Sequence, residues 1–518
     1  MLEETLSPAL EAFAAALGPG AVLTSDEDIT EFRDPFWLAG DDTHSASAIV
    51  MPTTTEEVQA VVRIANEHGI PLWAHSTGRN NGYGGPAPRV GGSVIVSLRN
   101  MNRLLEIDDD LAYAVVEPGA RWFDIHDALR DGGHDLMVSI PDLGWGSAVG
   151  NSLDNGVTYL NPGRDFRMVC GMEVVLADGS LLRTGMGAME GNPAWHTYKR
   201  GLGPVLDPLF MQSNLGIVTR MGIWLQRRPE CYLPAAFKLW RDEDIDTGLE
   251  IVRDLMMDGV MDGVPNIFNT LISASVLATR SDWSTDPAPL DDGLIDRIAR
   301  DLDVGRWAGR FALYGDEDMV DLKLAKIRKA FSVIPDAEVV AERKFLRGEF
   351  DQITRSSDKI QFGIPDLEVN NITGWYNQAE GGHIGFSPVV PLKAGNIREV
   401  RTMLRTHLEQ EAGLDFLVGL LTINERSVIM VTMVLFDTTD PEMTTRAYDA
   451  CRGLVAEAGR RGYGEYRAHL SFMDLAQEQY GFGDHAYRRF CETIKDAVDP
   501  NGILSPGRHG IWPSAMRS

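Results

Sequence analysis

A glycine-rich stretch at residues 75–89, HSTGRNNGYGGPAPR, combines conformational freedom with side chains that could bind a ligand. Its glycines lie at positions 78, 82, 84 and 85, and Tyr83 stands between them. Glycine lets backbone amides converge closely on one point, and phosphate is the commonest ligand of such a loop. The spacing does not match GxGxxG and the chain has no GK[ST], which argues against a nicotinamide Rossmann turn and an ATPase loop. A surface turn without a ligand uses the same residue types, so both interpretations stay open on this stretch alone.

A second loop of the same character spans residues 141–159, PDLGWGSAVGNSLDNGVTY. Polar side chains alternate with its glycines, namely Asp142, Ser147, Asn151, Asp154 and Tyr159. Two such loops in one region favour a long ligand with a pyrophosphate and a polar ring system, such as a dinucleotide. The chain has no GxSxG, HExxH or paired CxxC motif, which argues against the common hydrolase and zinc-enzyme mechanisms.

Regular elements must hold these loops, and the flanking sequence predicts them. Residues 56–69 place apolar residues at helical spacing before Gly69 and Pro71, and the following PLWAHS predicts a short strand. Further strands are predicted at 93–98 and 112–119, a helix in WFDIHDALRDGG, and a strand pair that turns at Asp178 and Gly179. Helices and strands mixed without regular βαβ alternation predict an α+β fold.

The organisation along the chain predicts two domains. The first covers residues 1–228 and ends near the proline-marked segment QRRPE, and the second covers 229–463 and is expected to be rich in helices. Residues 464–518 are predicted to return to the first domain. The longest apolar run, SVIMVTMVLF at 427–436, is too short to span a bilayer and predicts a buried strand.

Composition favours small-molecule chemistry. A formal net charge of -27 over 518 residues opposes binding to nucleic acid or to an anionic membrane. The four cysteines are scattered without a CxxC pair, so neither a disulfide framework nor a structural zinc site is indicated, and no metal is expected. The N-terminal segment lacks the basic start of a secretory signal. These features predict a cytoplasmic protein with reduced cysteines.

Six motifs in order resemble the flavoprotein family of vanillyl-alcohol oxidase and 4-cresol dehydrogenase, and most of all its eugenol-oxidising branch. They are STGRNNGYGG, PDLGWGSAVGN, QSNLGIVT, GGHIGFSP, GEYR and DPNGILSPGRHGIW, and the likeness runs from about residue 30 to residue 513. The resemblance implies an FAD-binding domain of that family's type, formed by the first and last segments, and an α/β cap domain that covers the substrate.

The resemblance also implies how FAD is held. The first loop would bind the pyrophosphate and the second would run beside the ribityl chain and the flavin ring, with support from QSNLGIVT. The implied cofactor-binding residues are Ser76, Thr77, Gly78, Asn80, Asn81, Gly146, Ser147, Asn151, Gly216 and Ile217. In several family members a histidine is bonded covalently to the flavin, and GGHIGFSP puts His383 at that place. By itself, a histidine among glycines is also typical of a turn.

The same resemblance implies the catalytic residues. Two tyrosines and an arginine of the family stabilise a phenolate, and they match Tyr83, Tyr466 and Arg467. Asp142 matches an acidic residue near flavin N5, where it assists water addition or takes a proton from a benzylic alcohol, and Tyr159 would support it. Without the resemblance, Tyr466 and Arg467 would be interpreted as a surface pair on a strand and Asp142 as a loop cap.

The implied function is oxidation of para-substituted phenols such as vanillyl alcohol, eugenol or 4-alkylphenols. Hydride transfer to FAD would give a quinone methide, and O2 would take the electrons and give H2O2. The alternative is a 4-cresol-type dehydrogenase that passes electrons to a cytochrome. Pro141 favours the oxidase, because oxygen-using members of the family tend to have proline or glycine there. The expected partners are a small phenolic substrate, O2 and further copies of the chain in a homodimer or larger homo-oligomer.

Overall fold

In the computed structural model, which describes residues 2–38 and 42–517, the first region is built from sheets with helices packed against them. Its elements, in chain order, are α1 (Leu2–Leu17), β1 (Val22–Leu23), α2 (Asp26–Glu31), β2 (Ala48–Val50), α3 (Thr55–His68), β3 (Leu72–His75), β4 (Val94–Ser97), β5 (Leu104–Asp108), β6 (Tyr113–Val116), α4 (Trp122–Asp131), β7 (Leu136–Met137), α5 (Ala148–Leu153), β8 (Val169–Val175), β9 (Leu181–Arg183), β10 (Ile217–Trp224) and β11 (Gln226–Arg227).

The first sheet, in the order β1-β2-β4-β3, places the glycine-rich stretch at the end of a buried strand. Strands β2, β4 and β3 are parallel, and the apolar face of α3 packs against them. Helix α3 ends at Gly69, which has φ +65° and therefore takes the left-handed conformation that glycine adopts without a steric cost. The predicted helix and the strands on either side of the loop are thus confirmed.

The second sheet is antiparallel and has the order β5-β6-β10-β8-β9. The predicted pair of β8 and β9 forms, with its turn at Asp178 and Gly179. Helix α4 packs on this sheet through Trp122 and Ile125, and the loop at 141–147 runs beside the start of that helix. The backbone amide of Trp122 donates to the carbonyl of Gly146 at 3.1 Å, which fixes this loop against the domain core.

The middle region contains a long antiparallel sheet as well as the helices that the sequence predicts. Its elements are β12 (Cys231–Leu239), α6 (Asp244–Met257), β13 (Asp262–Asn269), α7 (Thr270–Leu277), α8 (Asp292–Asp301), β14 (Trp307–Gly315), α9 (Glu317–Phe331), β15 (Glu338–Val340), β16 (Phe345–Leu346), α10 (Ser356–Lys359), β17 (Gly381–Phe386), β18 (Val389–Pro391), α11 (Ala394–Arg405), β19 (Val418–Asn424), β20 (Ser427–Asp437) and α12 (Pro441–Arg460).

The sheet of this region has the order β15-β12-β14-β13-β19-β20-β17, with β16 beside β12 and β18 beside β20. The strand predicted at 427–436 is confirmed as β20. The expected richness in helices is confirmed by α6 to α12, but the long sheet was not predicted, because strands such as β12 and β14 are buried over most of their length and so lack clear alternation of apolar and polar residues. We call this region, residues 229–463, the cap.

The C-terminal segment adds α13 (Met473–Glu478) and α14 (Phe482–Val498) and packs back on the first sheet. The Leu72 amide donates to the carbonyl of Ile503 at 2.7 Å, and Leu504 bridges to Leu72. The fully buried ammonium of Lys495 donates to Asp499 and to the carbonyls of Asn214 and Leu504, all within 2.7 Å. Among the described residues no helix combines the length and apolar character that a membrane crossing needs.

Candidate active site

A cavity of about 390 Å³ lies where the first region, the cap and the C-terminal segment meet. Every site residue predicted from the sequence lines this cavity. These residues are Ser76, Thr77, Gly78, Asn80, Asn81, Tyr83, Asp142, Gly146, Ser147, Asn151, Tyr159, Gly216, Ile217, His383, Tyr466 and Arg467. The structure therefore brings together residues that are almost 400 positions apart, and their individual roles stay predictions.

The first glycine loop is locked against strand β17 by two close approaches. Gly82 has φ +79°, and a Cβ on it would lie 2.3 Å from Nε2 of His383. A Cβ on Gly385 would lie 2.9 Å from the hydroxyl of Tyr83, and the Gly385 amide donates to the Gly82 carbonyl at 3.0 Å. Any side chain at either glycine would displace His383 or Tyr83, so these glycines set the positions of both rings.

The second loop meets the first at the start of α5. A Cβ on Gly150 would lie 2.1 Å from Oγ of Ser76, so only glycine allows the two loops to touch there. The Ser147 hydroxyl accepts from the Gly150 amide at 3.0 Å and donates to the Pro118 carbonyl at 2.5 Å, which makes it the N-cap of α5. The Asn151 amide donates to the Gly156 carbonyl at 3.1 Å. Ser147 and Asn151 thus shape the cavity wall through internal hydrogen bonds.

The cavity wall also fits a large polar ligand. Several buried nitrogen atoms on this wall have no hydrogen-bond partner among the described residues: Nε2 of His75, Nε1 of Trp122, Nδ1 of His383 and Nε of Arg467. Buried polar groups are nearly always paired in folded proteins, so this set indicates that a bound molecule supplies partners. A dinucleotide held by the glycine loops has both the length and the polar atoms that this wall requires.

At one end of the cavity an arginine lies against two tyrosines. The guanidinium carbon of Arg467 lies 4.1 Å from the centre of the Tyr83 ring and 5.4 Å from that of Tyr466. Burial alone would lower the pKa of Arg467, but Tyr466, Tyr83 and Asp154 raise it overall, so the guanidinium stays charged. Burial raises the pKa of Tyr466, so its hydroxyl is protonated near neutral pH. This end therefore offers a positive charge and hydroxyl donors away from bulk water.

Asp142 is held by two partners on the cap side of the cavity. Its Oδ1 accepts from Nη2 of Arg310, on β14, at 2.6 Å, and its Oδ2 accepts from the Tyr159 hydroxyl. Burial and the adjacent Asp142 raise the pKa of Tyr159 well above its ordinary value, so Tyr159 remains a donor. Burial opposes the charge on Arg310, but Asp142 raises the pKa of Arg310 overall. The carboxylate is thus oriented by one charged and one neutral donor.

His383, on β17, lines the same cavity, and its imidazole carries no charge near neutral pH. Burial lowers its pKa to about 4, and the Phe36 ring packs at 5.2 Å from the imidazole. A neutral imidazole has a free lone pair, which a nucleophile needs. The geometry is therefore compatible with attack by this histidine on an electrophilic ligand in the cavity.

Sequence reasoning assigns no role to three charged groups at this site, Arg310, Arg508 and Asp154. Arg310 lies on β14 of the cap sheet. The one sequence feature that could have drawn attention to it is a charged residue within a largely apolar, buried strand. Arg508 and Asp154 form an ion pair of 2.5 Å in the cavity wall. Burial alone would raise the pKa of Asp154, but Arg508, His509 and Arg467 lower it overall. Both residues of this pair lie within motifs already noted, yet nothing in their spacing shows that they meet.

Comparison with known proteins agrees with this architecture. Residues 46–185 match the family of FAD binding domains. The 4-cresol dehydrogenase (hydroxylating) flavoprotein subunit of Pseudomonas putida is 35% identical over 97% of this chain and 95% of its own length. The structure of 4-ethylphenol oxidase from Gulosibacter chungangensis in complex with isoeugenol superposes with a TM-score of 0.94 at 36% identity, covering 99% of this chain and 98% of that one. Substrate-bound p-cresol methylhydroxylase gives a TM-score of 0.92 at 34% identity and coverages of 98% and 97%.

Proposed function

Because this chain belongs to the vanillyl-alcohol oxidase and p-cresol methylhydroxylase family of flavoproteins, we propose that it oxidises para-substituted phenols and uses O2 as the electron acceptor. The observation that carries the proposal is the arrangement of one cavity: Tyr83, Tyr466 and Arg467 meet at one end, and Asp142 lines the same cavity. Vanillyl alcohol, eugenol and 4-alkylphenols are the substrate class that such a site fits.

The cofactor is FAD, which the matched domain and the relatives of this family indicate. The first loop would hold the pyrophosphate through Ser76, Thr77, Gly78, Asn80 and Asn81. Bound FAD would accept a hydride from the benzylic carbon of the substrate. Gly146, Ser147 and Asn151 would line the ribityl chain and the flavin ring, and Gly216 and Ile217 would support the nucleotide.

The tyrosines and Arg467 would convert the bound phenol to its anion. A free phenol titrates near pH 10, roughly, so a site that works near neutrality must stabilise the phenolate with donors and positive charge. Arg467 supplies a charge that burial does not remove, and protonated Tyr466 supplies a hydroxyl donor. A phenolate can lose a benzylic hydride to give a neutral quinone methide, whereas a neutral phenol would have to form an unstable cation.

Asp142 would act on the para side chain. Its carboxylate, oriented by Arg310 and Tyr159, would stabilise the electron-poor methide. It would also accept a proton from a water that adds to the methide or from a benzylic alcohol. The cap also contributes the apolar side chains Leu421, Val431 and Met433 to the wall of the same cavity.

We further propose that His383 bonds covalently to FAD. The support is the neutral imidazole, the unpaired Nδ1 among the described residues and the close contact of Nε2 with the glycine loop. The choice of O2 as acceptor is supported by Pro141, which lies in the cavity wall next to Asp142, and by the oxidase among the similar structures. The alternative is a 4-cresol-type dehydrogenase that passes electrons to a cytochrome or another carrier; the Pseudomonas relative is named a 4-cresol dehydrogenase flavoprotein subunit.

Visible spectroscopy of the purified protein tests this function. We expect 4-ethylphenol to bleach the flavin absorbance without oxygen, and air to restore it with one equivalent of H2O2. The matched control is 4-ethylanisole, whose methyl ether cannot ionise and should leave the spectrum unchanged. Absence of bleaching by 4-ethylphenol contradicts phenol oxidation. Bleaching that air does not reverse, but that cytochrome c does, supports the dehydrogenase instead.

A further inference from the structure

A second cavity, of about 630 Å³, adjoins the candidate active site on the far side of Tyr466 and Arg467. It opens to the surface beside Val205 and Tyr487, whose side chains are 43% and 62% exposed. We call this second cavity the vestibule. The two cavities share part of their walls, including Gln212, Ser213, Tyr466, Arg467 and His509. One layer of side chains therefore separates the vestibule from the site where the phenol oxygen is proposed to bind.

The backbone around the vestibule is unusually strained. Among the described residues, left-handed φ angles of non-glycine residues occur at five positions of the vestibule wall: Asn155, Asp165, Phe166, Gln212 and His509, with φ between +46° and +54°. Asparagine, aspartate and histidine tolerate this conformation, but it is uncommon for a bulky phenylalanine or a glutamine. Such strain persists only where the surrounding structure imposes it, and it concentrates at functional sites.

Part of the vestibule lining matches the ring of a neutral phenol, and the charged residues Asp165, Arg167, Lys199 and Asp207 line the rest. Phe166, Leu209, Tyr480, Tyr487 and Ile494 give an aromatic and apolar surface with hydroxyl groups. Glu465 also lies on this wall, and burial raises the pKa of its carboxyl well above its ordinary value. The layer itself is closed by a hydrogen bond of 2.7 Å from Nε2 of Gln212 to the Tyr466 carbonyl.

We propose that the vestibule is the passage by which neutral phenols enter the active site, and that Gln212 and Arg467 form its inner gate. The proposal rests on the proposed function. A phenol that arrives here meets Arg467 first, so the group that stabilises the phenolate also stands at the entrance. The passage reaches the active site at the residues that would bind the phenol oxygen. A phenol must therefore enter with its para side chain first and its oxygen last.

Cys491 provides a probe, because it lines the vestibule and is partly exposed while Cys170, Cys231 and Cys451 are buried. The flavin-loaded protein is labelled with fluorescein-5-maleimide, and its reduction by 4-ethylphenol is followed by stopped flow. We expect the second-order rate constant to fall at least tenfold, while the limiting rate at saturation stays within twofold. Binding of isoeugenol to the oxidised protein should show equal slowing of association and dissociation, because an obstacle in a passage changes rates and leaves affinity unchanged.

Two controls separate passage from indirect effects. Cys491→Ser treated with the same reagent should behave like unlabelled protein. Val205→Trp at the mouth should slow association as the label does, whereas Val333→Trp, at an exposed valine of the cap, should not. Stoichiometric labelling with unchanged association rates overturns the passage and leaves the proposed function standing. If 4-ethylphenol and isoeugenol neither reduce nor bind the unlabelled protein, the proposed function fails and the passage with it.

Discussion

The ion pair between Asp142 and Arg310 makes a quantitative prediction about the chemical step. Asp142→Asn keeps the volume of the side chain and removes its charge. If the carboxylate stabilises the methide, the limiting rate of flavin reduction should fall about a hundredfold, the size typical of a positioned acid or base. A hundredfold loss corresponds to about 2.7 kcal/mol of transition-state stabilisation. Binding of phenolic inhibitors should change little, because their oxygen is held by Tyr83, Tyr466 and Arg467.

The contribution of Arg310 can be estimated from its geometry. Charges about 4 Å apart interact by about 4 kcal/mol at an effective dielectric constant of 20. Nη2 of Arg310 lies 2.6 Å from Oδ1 of Asp142, but the side chains are 18% and 21% exposed, so water screens the pair. In Arg310→Met, the hydrogen bond from Tyr159 would still orient Asp142. We therefore expect about a third of that energy, ~1.4 kcal/mol, to appear as a tenfold slower reduction. If Arg310 acts only through Asp142, the double variant should be about a hundredfold slower and not a thousandfold.

The assay is anaerobic stopped-flow reduction by vanillyl alcohol, with covalent flavin content measured and matched first. Arg306→Met is the control, because Arg306 is a buried arginine that precedes the same strand and pairs with Asp296 at 2.6 Å, outside the cavity wall. It should reduce stability without slowing flavin reduction. Near wild-type reduction in Asp142→Asn refutes a catalytic role for the carboxylate. Additive losses in the double variant refute the claim that Arg310 acts through Asp142.

Three further predictions follow from single groups. Acid precipitation should leave yellow colour in the wild-type protein pellet, whereas the flavin of His383→Ala should be released into the supernatant. Because burial lowers the pKa of His383 to about 4, covalent loading of the apoprotein with FAD should slow only as the pH falls to about 4. Slowing that begins near pH 6.5, the ordinary pKa of histidine, would contradict this. In Arg467→Ala the pKa of a bound phenolic inhibitor, read from phenolate absorbance, should rise, and an unchanged titration would mean that the phenol binds elsewhere. Lys495→Met should lower the free energy of unfolding, measured by urea titration, by about 3–5 kcal/mol, because it leaves the buried Asp499 carboxylate without its counter-charge. The double variant Lys495→Met, Asp499→Leu should recover part of that lost stability.

Local sequence signals were sufficient for much of the first domain. Helix α3 has a regular apolar face and ends at a glycine, and the two loops are marked by their clustered glycines. Both features could therefore be located without tertiary information. The cap was harder to predict. Its central strands are largely buried and their pairing joins segments more than 100 residues apart, such as β13 with β19, so no local period marks them.

Charged partners could not be predicted for the same reason. Arg310 and Asp142 are 168 positions apart, and only the packing of the cap over the second glycine loop brings them within 2.6 Å. The ion pair of Arg508 with Asp154 likewise joins the C-terminal segment to the loop that follows α5. A single sequence carries the residue types but no record of these distances, so even where both members of a pair lie in noted motifs, as Arg508 and Asp154 do, their contact could not be predicted.

Tyr466 and Arg467 show why naming a residue from the sequence leaves its geometry open. On a regular strand, neighbouring side chains point to opposite faces, so these two could not both serve one cavity. The chain bends here instead: the Tyr466 amide donates to the Ser387 carbonyl at 3.0 Å, and the guanidinium of Arg467 packs on the Tyr83 ring. The bend turns both side chains into the wall between the active site and the vestibule. The residues that would stabilise the phenolate are therefore also those past which a phenol would enter, so substitutions at Arg467 should change the association rate as well as the ionisation of the bound phenol.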